Sequence, residues 1–91
     1  MSLETNAKHH RETIHRIHRL QGQLAALERN VRADAYCEEV VIQARAVEKG
    51  VSSLITHIVA NHLKHRVRDL MQESPEKAAQ EVIRLFQLLN R

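Results

Sequence analysis

The chain has 91 residues, a net charge of +3, one cysteine, one proline, two glycines and no tryptophan. A single domain spanning residues 1–91 is marginal for a self-sufficient core, and one cysteine excludes an internal disulfide and fits a reducing cytoplasm. No apolar run approaches the roughly 20 residues that span a bilayer, no signal-peptide pattern opens the chain and no β-rich run appears. The expectation is an all-α, cytoplasmic protein without a membrane partner.

Met1 to Asn6 is polar and expected to fray. The first helix is predicted over residues 7–31, with Ile14, Ile17, Leu20, Leu24, Leu27 and Val31 spaced three and four apart. Gly22 interrupts its propensity but not its period, which suggests close packing against a neighbouring helix. Between Lys8 and Arg19 stand Lys8, Arg11, Arg16 and Arg19 with four histidines, His9, His10, His15 and His18, against Glu12 alone. Such a stripe suits the phosphates of double-stranded DNA, although a merely solvated helix face carries the same residue types.

Arg32, Ala33 and Asp34 form a connection in which Asp34 is expected to cap a long helix over residues 34–71. Its apolar residues run through Val40, Ala44, Val47, Val51, Leu54 and Ile58, with a second line through Val41, Ile55, Val59, Leu63, Val67 and Leu70. At 1.5 Å per residue this helix is roughly 55 Å long, longer than a 91-residue globule can cover, so a second copy is expected on it. Ser74-Pro75 stops it and starts a third helix over residues 75–89, with Ala79, Val82, Ile83, Phe86 and Leu89 on one side.

The chemistry sits near the two ends of the long helix. Cys37 falls in its first turn, where unpaired N–H groups favour a thiolate, and Tyr36 beside it is a candidate hydrogen-bond donor. His62 and His65, three apart, can share a metal ion, although surface histidines at this spacing are common. Cys37 and His62 are roughly 37 Å apart along one helix, so only two antiparallel copies, crossing near Gly50, bring them together. The expectation is a homodimer with two equivalent sites. His57 is turned about 140° from His62 and is set apart from the site. With no paired-carboxylate pocket, no Ser-His-Asp arrangement and no phosphate loop, the chain does not read as an enzyme. A helix-turn-helix is also missing.

The stretch Arg16-Ile-His-Arg-Leu-Gln-Gly-Gln-Leu, then Asp34-Ala-Tyr-Cys37, then Asn61-His62 resembles the CsoR/RcnR/FrmR family of metal- and formaldehyde-responsive repressors. The resemblance implies a three-helix protomer, an antiparallel dimer with a four-helix-bundle-like core, and a tetramer of two dimers. It further implies operator binding through basic faces, released by an effector. Cys37 and His62 match the thiolate and imidazole of its sensing site, and Arg16 and Arg19 match its DNA-contacting positions, with Lys8 and Arg11 extending that face. The third ligand, normally Cys or His, falls on Arg66, which cannot ligate a metal. Either His65 substitutes, with His9 or His10, giving a nitrogen-rich site for nickel, cobalt, zinc or copper, or Cys37 acts as a nucleophile toward formaldehyde or another electrophile. Formaldehyde sensors use an N-terminal proline, and none stands in Ser2 to Asn6. Persulfide-sensing relatives carry a second cysteine where His62 stands. From another class, a helical dimerisation or adaptor module without DNA binding remains as an alternative.

Overall fold

The computed structural model describes residues 7–91, so the reading of Met1 to Asn6 lies outside the described residues. Helix α1, Ala7–Arg32, runs antiparallel to α2, Cys37–His62. A π-helical segment, Leu63–Val67, and then α3, Arg68–Glu73, continue α2 with helical dihedrals at both junctions, so all three form one rod. Helix α4, Pro75–Leu89, folds back along its far end. No strand occurs among the described residues, and the fold is all-α.

The connection after α1 differs from its expected form. Asp34 has φ 55°, and its N–H bonds Val31 while that of Ala35 bonds the Asn30 carbonyl at 2.9 Å. This pair of bonds with a left-handed residue closes a helix C-terminus, a place most often taken by glycine. Asp34 therefore ends α1 and does not cap α2. Tyr36 holds the cap position of α2 without a side-chain bond. At the other corner the expectation holds: Ser74 is extended, its hydroxyl accepts the Lys77 N–H at 3.4 Å, and Pro75 occupies the first turn.

The α1–α2 seam is more polar than the apolar pattern suggests. On α2 the covered positions are Val40, Gln43, Val47, Gly50, Leu54, His57 and Asn61, alternating three and four apart. Facing them, Asn30 donates to Gln43 at 2.8 Å, Arg16 reaches Ser53 at 3.4 Å, and the ring of His9 lies on His57. Gly50 sits under Leu20, whose Cδ2 would lie 2.5 Å from an added Cβ. The smallness of Gly50 thus serves α1 of the same chain, whereas Gly22 faces open space within the protomer.

The more apolar seam faces outward. Ile14, Ile17, Leu24 and Val31 of α1 and Val41, Val51, Ile55 and Ile58 of α2 are exposed. On α4, Ala78 and Leu85 turn inward, and the apolar side read from the sequence, Ala79, Val82, Ile83, Phe86 and Leu89, is exposed. The buried side chains are few: Leu70, Ala78, Leu85 and Asn61. The protomer measures 57 × 27 × 11 Å and exposes 7201 Å², against about 5400 Å² for a compact monomer of its mass. It is a slab one helix thick.

Candidate functional site

Cys37 is the first residue of α2 and is exposed, with the preceding Tyr36 ring also in solvent. His62 closes the same helix at its other end, where Glu81 of α4 meets it. Within one chain the two cannot meet, since they stand at opposite ends of a helix of 26 residues.

His62 is held from α4. Its Nε2 lies 3.4 Å from the Oε1 of Glu81, a carboxylate that also receives Arg84. The Arg84 hydrogen bond first, and His62 after it, hold Glu81 below the usual carboxylate range against the opposing effect of burial. An ionised Glu81 accepts from Nε2–H, which leaves the lone pair of His62 on Nδ1. Sequence reasoning missed Glu81 and Arg84. The one signal was the corner at Ser74-Pro75, which folds the last helix back along the long one. Which residues then meet is not carried by the sequence, since His62 and Glu81 stand at unequal distances from the turn.

His65 and Arg66 both lie on the π-helical segment. The Arg68 guanidinium donates to His65 Nδ1 at 3.3 Å. Arg66 lines a surface hollow with Leu70, Lys77, Gln80, Glu81 and Arg84, of which Arg84 bonds the acid that orients His62. His65 instead influences His9 on α1.

The basic residues of α1 lie along one exposed edge. Lys8, Arg11, His15 and Arg19 are exposed, while Arg16 is half-buried against Ser53. Arg11, Arg16 and Arg19 border a common shallow hollow with Glu12 and His15. Beneath this edge His9 and His57 stack, with ring centres 4.2 Å apart and planes within 19°.

These features describe a helical binding protein that carries its reactive groups on helix ends and faces. The chain belongs to the metal-sensitive transcriptional repressor family, whose model matches residues 9–88. It is 26% identical over 82 residues, 89% of this chain and 81% of the relative, to the copper-sensing transcriptional repressor CsoR of Bacillus subtilis (strain 168). It is 31% identical over 58 residues, 64% of this chain and 60% of the relative, to the copper-sensing transcriptional repressor RicR of Mycobacterium tuberculosis (strain ATCC 25618 / H37Rv). No solved structure matches it. Repressors of this family act by binding, and the chain is not an enzyme. No helix among the described residues is long and apolar enough to cross a membrane.

Proposed function

We propose that the chain is a cytoplasmic, single-domain repressor of double-stranded operator DNA, acting as an antiparallel dimer that pairs into a tetramer. Its effector is a transition metal ion, copper, nickel, cobalt or zinc, held by Cys37 of one copy and His62 of the other. The observation that carries this reading is the symmetry of the uncovered seam on α2. About a two-fold axis between residues 49 and 50, Val41 pairs with Ile58 and Ala44 with Ile55, and the next pair outward is Cys37 with His62. One antiparallel packing covers the apolar seam and assembles both sites.

A thiolate and an imidazole Nδ1 are soft and borderline donors that fit such an ion. When bound, the ion adds a link between the copies at each end of the seam. Glu81 fixes the orientation of His62 and ties it to α4. DNA release follows only if the effector prefers the arrangement of the copies in which Lys8, Arg11, Arg16 and Arg19 no longer match the phosphates.

One observation favours a second reading. Arg84 holds the Glu81 carboxylate, and Arg66 and Lys77 line the same hollow, a concentration of positive charge that disfavours a cation nearby. In that reading Cys37 attacks formaldehyde or another electrophile, and His65 has no part.

The test is an anaerobic titration of the reduced protein with Cu(I), Ni(II), Co(II) and Zn(II). Thiolate-to-metal absorption and chelator competition report binding, and operator binding is followed in parallel. Tight binding lost in both Cys37→Ala and His62→Ala, with DNA release, supports the metal sensor. Release by formaldehyde that needs Cys37 but no metal moves the assignment to the electrophile sensor. Alanine at Arg19 is expected to weaken operator binding and to reduce the salt slope by about 1; an unchanged slope removes the basic-edge assignment.

A further inference from the structure

His9, Glu12 and His57 have no part in the function proposed above, yet they form the one group of metal-ligating side chains among the described residues. Their ligand atoms all lie within 4.8 Å of one another. His9 and Glu12 are three apart on α1 and so share a face, while His57 projects from the covered seam of α2. The two helices are fixed relative to each other by Leu20 over Gly50 and by Arg16 on Ser53, so the three side chains converge without help from a second copy.

The second observation is the state of His57. Its Nε2 is buried and has no hydrogen-bond partner. Buried imidazole nitrogens are normally satisfied, and one left with neither solvent nor partner calls for an explanation. His9 stacks on the same ring. Burial first, and the neighbouring His57 next, hold His9 below the ordinary histidine range, against the upward pull of Glu12. Two imidazoles and a carboxylate converging on one point, one ring nitrogen buried without a hydrogen bond, are a donor set.

We infer that His9, Glu12 and His57 form a second cation site, contained within one protomer and independent of the Cys37/His62 site, that takes a divalent ion of the zinc, cobalt or nickel kind. Two nitrogens and one carboxylate oxygen suit these borderline ions, and the absence of sulfur disfavours Cu(I). Two stacked rings do not aim their nitrogen lone pairs at one point, so binding with zinc bonds of about 2.0–2.2 Å turns one ring out of the parallel stack. Three protein ligands leave a fourth position open to solvent on the Glu12 side, since Glu12 is exposed. Arg16 and His65 are the neighbouring groups whose charges oppose the ion, and both act on His9. The ion's charge stands beside the basic edge of α1.

The test uses the full chain carrying Cys37→Ala and His62→Ala, which removes the other site. Co(II) binding is read by visible absorption and Zn(II) binding by competition with a chromophoric chelator. The expected result is one Co(II) or Zn(II) per chain, without thiolate-to-metal absorption. In that background His57→Gln is expected to weaken binding at least tenfold, and so is Glu12→Gln, whose exposed side chain can be replaced without disturbing the fold. Absence of equimolar binding in the double variant overturns the inference, as does binding that Glu12→Gln leaves unchanged. Loss of the Cys37-dependent signal in the wild type, with this binding retained, would sink the shared site alone.

Discussion

The two ends of the α1–α2 pair answer the same physical problem in different ways. Both place polar side chains in a covered seam. At the loop end Asn30 donates to Gln43 at 2.8 Å, and the chain is closed by two backbone bonds around Asp34. At the open end His9 and His57 meet face to face, and the buried Nε2 of His57 is left without a hydrogen bond. A polar pair that satisfies itself specifies the register of two helices. A pair that leaves one buried ring nitrogen without a bond is held in place by the packing around it. The contrast separates a structural feature from a functional one within a single helix pair.

The sharpest intervention acts on the pivot between the ends. Gly50→Val forces Leu20 away and is expected to destabilise the protein by about 1–3 kcal/mol, as overpacking does. Thermal unfolding followed by circular dichroism measures it, and an unchanged midpoint would mean that Gly50 does not set the spacing of the helices.

Next come the ends themselves, where the comparison demands opposite signs. Asn30→Ala strands the Gln43 amide and is expected to cost about 1 kcal/mol. His57→Leu removes an unsatisfied nitrogen, and with metal chelated it is expected to stabilise by up to about 1 kcal/mol. Denaturant titration of both variants decides the matter: the distinction fails if both destabilise alike.

The smallest effect is that of pH on the chelated protein. The folded chain holds His9 below its ordinary value of 6.5, so it favours the neutral ring. The stability this contributes is present above that value and is lost as pH falls from it through the lower folded value. Glu12 moderates the loss, and His57, His65 and Arg16 deepen it. Amide exchange near His9 is expected to quicken between neutral and mildly acidic pH, with that near Asn30 unchanged. Equal acceleration at both ends would contradict the assignment.

Much of the architecture was legible from apolar spacing and punctuation. The long helix, the Ser74-Pro75 corner and the capping role of Ser74 follow from local chemistry. Spacing alone could not say which of two adjacent apolar lines faces inward. Val40 and Val41 are equally apolar, yet only Val40 is covered by α1, and Ile17 and Leu24 lie outside while Leu20 lies inside. The role of Asp34 escaped because its left-handed backbone is set by the closure of α1, and an aspartate there reads equally as a cap for the following helix. The meeting of His9 with His57 depends on the register between two helices, which no local pattern carries.

The π-helical segment has a consequence for the spacing of the chain. Its wider turns carry Leu63–Val67 out of phase with an α-helix by roughly one residue of rotation. It works like a single altered pitch in a screw thread. Removing one residue there would restore the regular thread and leave α4 in nearly the same phase, so the segment takes up one extra residue while Glu81 stays beside His62. In the regular helix that follows, Arg68–Glu73, there is no such slack, and one residue more or fewer would turn α4 by about 100° around the rod.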